Sequence, residues 1–182
     1  MSLQTFIEKE RKYLHQLSSD QRRLLTGYFL YGLAHPMIIT FMNTFLWRAS
    51  GNPVDLALYN MCWYAGLPLG FLLNGRLLKI FPTQKLFLLG CAFLGLGPLL
   101  LVAIGQSAAQ YSWAFGLIVG VSGGFFWGNR NYLTSRNTTS ENRFSFISLE
   151  STLGAVSSII APLIIGWFLV LGDRFNWYSI AH

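Results

Sequence analysis

Apolar residues run in five long stretches, 24–47, 54–73, 86–105, 111–133 and 144–171, divided by short polar connections. Each run is near or above the about 20 residues that cross about 30 Å of hydrocarbon at a helical rise of about 1.5 Å per residue. The pattern predicts an all-α, multi-pass membrane bundle over residues 22–182, with about five spans and the start of a sixth. Before it, residues 1–21 mix Leu3, Phe6, Ile7, Tyr13, Leu14 and Leu17 with Glu8, Lys9, Glu10, Arg11 and Lys12. That mixture suits either a short amphipathic helix on the lipid headgroups or a solvated tail on the cytoplasmic side. The first apolar run exceeds the core of a signal peptide, so no cleavage is expected and the first span itself directs insertion.

Composition strengthens this reading. Apolar residues make up 53% of the chain, aromatic residues 16% and charged residues only 11%, about half the charge of an ordinary soluble domain. The net charge of +6 is spread over the connections, where anionic headgroups are the nearest counter-charge, so nucleic acid is not an expected partner and membrane lipid is. Lys9, Arg11, Lys12, Arg22 and Arg23 precede the first span; Arg76, Lys79 and Lys85 follow the second; Arg130, Arg136 and Arg143 surround the fourth connection. Only Arg48 and Arg174 fall on the other side, so the inside-positive bias places the amino terminus in the cytoplasm and the chain in the cell's inner membrane. Cys62 and Cys91 lie inside spans without metal-ligand or CxxC spacing, and neither a metal nor another cofactor is expected.

Lipid tails give two helices no hydrophobic reason to meet, so packing depends on small residues and polar contacts. Such residues recur every fourth position as Gly116, Gly120, Gly124 and Gly128 in the fourth run and as Gly154, Ser158, Pro162 and Gly166 in the fifth. The second run carries Cys62, Gly66, Gly70 and Asn74 more loosely. These stripes are expected to mark helix–helix seams. Pro36, Pro68, Pro98 and Pro162 each remove a backbone hydrogen bond within a run and are expected to bend it; Pro36 releases the carbonyl of Gly32.

Ionisable groups inside spans cost about 2.5–3.5 kcal/mol at a helix centre and are functional candidates by default. His35 shares a face with Tyr28, Tyr31 and Asn43, a polar stripe suited either to lining a solute cavity or to bonding a neighbouring helix. Tyr59, Asn60, Trp63 and Tyr64 in the second run, and Trp127, Asn129 and Asn131 in the fourth, offer aromatic stacking and amide hydrogen bonds. Tyr31, His35, Asn43, Asn60, Trp63 and Trp127 are therefore the candidate solute contacts. Glu150, expected to face other helices along the Gly154 and Ser158 stripe, pairs either structurally with Arg130 or serves coupling and gating. Trp47, Trp113, Trp177 and Tyr178 read as interfacial anchors.

The second connection, Gly70-Phe71-Leu72-Leu73-Asn74-Gly75-Arg76-Leu77-Leu78-Lys79, resembles the loop signature of the major facilitator superfamily, with Asn74 where that family usually has Asp. Gly154 through Ala161-Pro162-Leu163-Ile164-Ile165-Gly166 is similar to the glycine-proline signature of its fifth helix, with Ala161 for the usual glycine. Asp173-Arg174-Phe175-Asn176-Trp177-Tyr178 resembles the external turn into a sixth. The arginine expected early in the fourth helix is missing, since 114–120 carries no charge. That departure speaks against proton-coupled drug antiport.

The resemblance implies the amino-terminal half of a secondary transporter, truncated at the start of its sixth helix, with a small-molecule solute bound between two halves and moved by alternating access. Gly70, Asn74, Arg76 and Lys79 would be its loop signature, and a second transporter half or another membrane subunit its partner. The alternative expectation is a non-transporting scaffold subunit derived from such a half. An enzyme is not expected, because Asp20, Asp55 and Asp173 lie in connections or at span edges and no acid neighbours Glu150.

Overall fold

The computed structural model describes Leu14 and residues 17–175. All regular structure among them is helical. In chain order come α1 (Ser19–Ser50), α2 (Pro53–Leu77), α3 (Thr83–Ile104), a 3-10 segment (Gly105–Tyr111), α4 (Ser112–Asn137) and α5 (Arg143–Arg174). Of the amphipathic segment, residues 1–13, 15 and 16 lie outside the described residues, as do the anchors Trp177 and Tyr178, and α1 already begins at Ser19.

Among the described residues, four helices are long and apolar enough to cross a membrane: Ser19–Ser50, Pro53–Leu77, Thr83–Ile104 and the Arg143–Gly172 part of α5. The expectation of five is not matched. The fourth apolar run is a helix, but α4 carries Gly116, Gly120, Gly123, Gly124 and Gly128 together with Asn129, Arg130, Asn131 and Thr134, and this dilutes its apolar character. Its packing explains the composition: Phe115, Gly116, Val119, Gly120, Ser122, Gly123, Gly124, Phe125, Phe126 and Asn129 are all buried. A helix covered by neighbours needs small residues more than lipophilic ones.

The helices begin and end for local reasons. Gly51 adopts φ +62° between α1 and α2, a conformation that costs a side-chain-bearing residue but not glycine. Asn52 then caps α2, its side-chain oxygen accepting from the Val54 amide at 3.0 Å, with Pro53 in the first turn, where no amide is needed. Gly105, at φ +65°, ends α3. The chain passes through Pro36, Pro68, Pro98 and Pro162 without leaving the helices that contain them.

The chain divides into two compact units: one holds residues up to Ala34 together with those from Asn137 onward, the other is His35–Arg136. In His35–Arg136, α4 meets α2 along a seam of glycines. A side-chain carbon on Gly116, Gly120 or Gly124 would collide with the backbone carbonyl of Tyr59, Trp63 or Leu67, respectively. One on Gly66 would lie 2.8 Å from the Leu117 carbonyl and 2.9 Å from the Val121 amide nitrogen. Residue numbers rise together along this seam, so α2 and α4 run parallel. The α3 face of Leu86, Gly90, Leu94, Gly97 and Leu101 is buried, with Gly90 against Phe125 and Phe126 and Gly97 against Val119, in the antiparallel sense. Phe87 and Phe126 stack at 5.3 Å.

In the other unit, the amino-terminal part of α1 packs on α5. Gly32 lies against Ser157, whose hydroxyl donates to the carbonyls of Leu153 at 2.8 Å and Phe29 at 3.4 Å. Gln21 donates to the carbonyl of Asn137 at 2.8 Å. The buried face of α5 runs through Phe146, Glu150, Ser157 and Ala161. This corrects the expected stripe, because Ser158 and Pro162 are exposed and, among the described residues, nothing lies within 4 Å of where a Gly166 side chain would begin. Steps of four residues advance about 40° beyond a full turn, so a strict every-fourth row winds off any straight face. Spacing of four, three and four, as in Glu150, Gly154, Ser157 and Ala161, stays on one line.

Candidate functional site

One group of polar and aromatic side chains of His35–Arg136 gathers where α1 meets α2. Asn60 occupies the second turn of α2, and its Nδ2 donates to the Leu56 carbonyl at 2.8 Å and to Asn43 Oδ1 on α1 at 3.1 Å. Trp63, one turn further along the same face, has the His35 ring edge-on at 6.3 Å, Tyr59 tilted at 6.3 Å and Tyr64 stacked at 5.6 Å with 18° between planes. Tyr59 is only 2% exposed and forms a fixed wall, while His35, Asn43, Asn60 and Trp63 are half-buried and Tyr64 is exposed. Helical spacing brings Asn60, Trp63 and Tyr64 together, and antiparallel packing brings His35 and Asn43 to them.

The other candidate residues distribute differently. Tyr31 belongs to the unit containing residues up to Ala34, whereas His35 opens the His35–Arg136 unit. Trp127 meets Phe126 edge-on at 5.5 Å and lies beneath the guanidinium of Arg130, 4.5 Å from the ring centroid, a cation–π contact near the end of α4. Arg130 also donates to Asn131 Oδ1 at 3.4 Å. Glu150 is buried in the unit formed with residues from Asn137 onward.

Asn74 and Gly70 stand inside α2 rather than in a loop, while Arg76 and Lys79 are exposed. Asn74 is buried at the end of the α2–α4 seam, and its Oδ1 accepts from Asn129 Nδ2 at 2.8 Å. The same Nδ2 donates to the Phe125 carbonyl at 2.8 Å, which fixes the orientation of the Asn129 amide and leaves its Oδ1 buried without a hydrogen-bond partner among the described residues. In the sequence Asn74 stands in the loop signature, and Asn129 stands apart from it as one of several amides in the fourth run. Their spacing along the chain carries no sign of the pairing.

Among its described residues the His35–Arg136 unit also holds half-open apolar hollows. One, about 330 Å³, lies between α1 and α3 and is lined by Ile38, Phe41, Met42, Phe45, Pro98 and Leu101. Another, about 290 Å³, lies between α3 and α4 around Phe93, Leu117 and Phe125. Neither offers the hydrogen-bonding groups gathered at Asn43 and Asn60.

No family model matches the chain, and no solved structure does. Two curated proteins are similar to it over most of its length. The uncharacterized protein YqgE of Bacillus subtilis (strain 168) is 33% identical over 157 residues, 86% of this chain and 36% of that protein. An uncharacterized protein of Geobacillus stearothermophilus, described as in the sodM 3' region, is 32% identical over 154 residues, 85% of this chain and 72% of that protein. The chain thus spans about a third of the Bacillus subtilis relative and nearly three quarters of the Geobacillus stearothermophilus one.

Proposed function

The chain belongs to the family of this uncharacterized Geobacillus stearothermophilus protein, and from that premise we propose that it is a multi-pass membrane protein forming the amino-terminal half of a secondary transporter of the major facilitator type. It moves a small organic solute by alternating access, without a chemical step or a bound cofactor. The observation that carries this reading is the α1–α2 cluster: His35, Asn43, Asn60 and Trp63 converge on helices otherwise apolar enough to cross a bilayer. Polar and ionisable groups inside apolar spans are costly and rare, and they are functional candidates by default. The length of the Bacillus subtilis relative leaves room for a second half, the partner against which rocking takes place.

The basic residues orient the chain with its amino terminus in the cytoplasm of the inner-membrane face. Asn74, with its neutral partner Asn129, takes the position of the family's acidic latch, flanked by Gly70, Arg76 and Lys79. Glu150 and Arg130 serve coupling or gating. A second reading, a non-transporting subunit that packs against another membrane protein, draws on the Geobacillus stearothermophilus relative, 72% of which is matched by this chain.

The test begins with carbonate washing of membranes, which should leave the chain in the pellet. Impermeant thiol reagents applied to whole cells should label cysteines introduced at the exposed positions Asn52 and Gln110 and spare those at Gln84 and Thr139. Solute uptake by vesicles containing the chain, alone or with its natural membrane partner, then separates transport from scaffolding. The opposite labelling map overturns the orientation, and absence of uptake in both preparations favours the scaffold.

A further inference from the structure

We propose that the apolar hollow between α3 and α4 holds an acyl chain of an anionic phospholipid, with Lys85, Tyr132 and Arg136 receiving the headgroup phosphate above it. The assignment rests on the reading of this chain as a membrane protein and is independent of transport. The hollow measures about 290 Å³ and is lined by Leu89 and Phe93 on α3 and by Leu117, Val121, Ser122 and Phe125 on α4. From Leu117 to Phe125 the helix advances about 12 Å, so the hollow runs along the helices, the direction that an acyl chain takes in a bilayer. Among the described lining residues Ser122 alone has a polar side chain, and its hydroxyl already donates to the Ile118 carbonyl at 2.6 Å. A polar solute would lose its hydration there and gain no donor in return, whereas a hydrocarbon chain has no such cost.

Helix geometry sets the phosphate ligands over one end of this hollow. Lys85 stands one turn before Leu89 on α3, and on α4 Tyr132 and Arg136 repeat the position of Phe125 about two and about three turns further on. Gly90 opposite Phe125 and Gly97 opposite Val119 fix the antiparallel register of the two helices, which brings Lys85 to the level of Asn131 and Tyr132, with Arg136 one turn farther out. All three side chains are exposed. Cations and a phenol at headgroup level, above an apolar groove, match both parts of a phospholipid.

Charge selects the anionic class. From residue 56 to residue 140 the sequence carries no Asp or Glu, yet Arg76, Lys79, Lys85, Arg130 and Arg136 all fall there. The one carboxylate of the His35–Arg136 unit, Asp55, lies in the first turn of α2, at the opposite end of that helix from Arg76. This end of the unit therefore collects cations and supplies no carboxylate of its own, and Arg130 lies over the Trp127 ring. Lipid phosphate is the counter-charge that a bilayer provides at this level. The α1–α3 hollow lacks such a mouth, because Arg48, one turn beyond Phe45, shares its end of the unit with Asp55.

Photo-crosslinking of the purified full chain in lipid nanodiscs tests the assignment, with p-benzoylphenylalanine in place of Phe93 in the hollow or of the exposed Leu99 elsewhere on α3. In a bilayer of about one phosphatidylglycerol to nine phosphatidylcholine molecules, the Phe93 probe should capture phosphatidylglycerol at least about fivefold above its share, the enrichment that a single surface cation confers. The Leu99 probe should capture the two lipids in proportion. Replacing both cations, Lys85→Ala with Arg136→Ala, should return capture at Phe93 to the bilayer ratio without lowering its total, and Lys85→Arg should preserve the enrichment. Proportional capture at Phe93 in the otherwise unaltered chain, or enrichment that survives loss of both cations, overturns the headgroup assignment. Capture of a second copy of the chain, or no lipid at Phe93 while Leu99 captures it, overturns the acyl-chain site and leaves the membrane reading standing. Absence of lipid at both positions overturns the membrane reading and this proposal with it. Should the Phe93 variant fail to fold, the half-exposed Leu89 carries the probe and the same outcomes decide.

Discussion

The α2–α4 seam and the α1–α5 seam are both made of small residues, yet they tolerate change differently. Between α2 and α4, glycine faces backbone: the position of a Gly66 side chain meets the Leu117 carbonyl, the Val121 amide and the Gly120 Cα at 2.8–3.0 Å. Between α1 and α5, glycine faces a side chain: a carbon on Gly32 would lie 3.1 Å from Ser157 Cβ and 3.2 Å from its Oγ. A helix backbone cannot step aside without moving the whole helix, whereas contacts of 3.1 Å and 3.2 Å with a serine side chain ask it to give by only a few tenths of an ångström. The comparison teaches that close approach alone does not set the cost of filling a glycine; what stands opposite it does.

The sharpest way to break this comparison is Gly66→Ala beside Gly32→Ala, each followed by thermal unfolding of the purified chain. Gly66→Ala should cost about 3 kcal/mol, near the upper end of the usual overpacking range, and Gly32→Ala about 1 kcal/mol. Ser157→Gly should recover most of the Gly32→Ala loss. Equal losses at the two glycines, or no recovery, would show that the two seams yield alike.

A smaller effect is expected at the polar end of the α2–α4 seam. Asn129→Leu leaves Asn74 Oδ1 buried without its 2.8 Å donor and should destabilise by about 1–3 kcal/mol. The double replacement of Asn74 and Asn129 by Leu should cost less than the two single losses added, because no buried amide then stands alone. Strict additivity of the unfolding free energies would mean that the pair contributes nothing jointly.

The smallest effect belongs to α5. Among the described residues nothing lies within 4 Å of the side-chain position of Gly154 or Gly166, so replacing either by Ala should be neutral or stabilise by up to about 1 kcal/mol through helix propensity. A loss of stability at Gly166 would reveal a neighbour on that face and sharpen the contrast with Gly66.

The candidate site was partly legible in the residues themselves. Asn60, Trp63 and Tyr64 share a face by spacing alone, and His35 and Asn43 lie two turns apart on another helix. That the two groups meet, with Asn60 bonded to Asn43 and His35 against Trp63, depends on which helices become neighbours, and no local pattern records that. The α5 stripe fails for a related reason. Gly154, Ser158, Pro162 and Gly166 repeat as regularly as Gly116, Gly120, Gly124 and Gly128, but only the second row meets a partner, α2, whose own glycines share the four-residue spacing. Two such rows can mesh when helices cross obliquely.

Helix positions, the punctuation at Gly51, Asn52 and Gly105, and the apolar length of four helices follow from the amino-acid order, because they depend on residues within a few positions of one another. The tertiary structure alone decided that the glycine row of α4 would be buried against α2, that α5 would turn Ser157 rather than Ser158 inward, and that Asn74 would find Asn129. Those outcomes turn on contacts between residues distant in the chain, and a one-residue shift of a helix face, about 100° of rotation, exchanges a buried side chain for an exposed one.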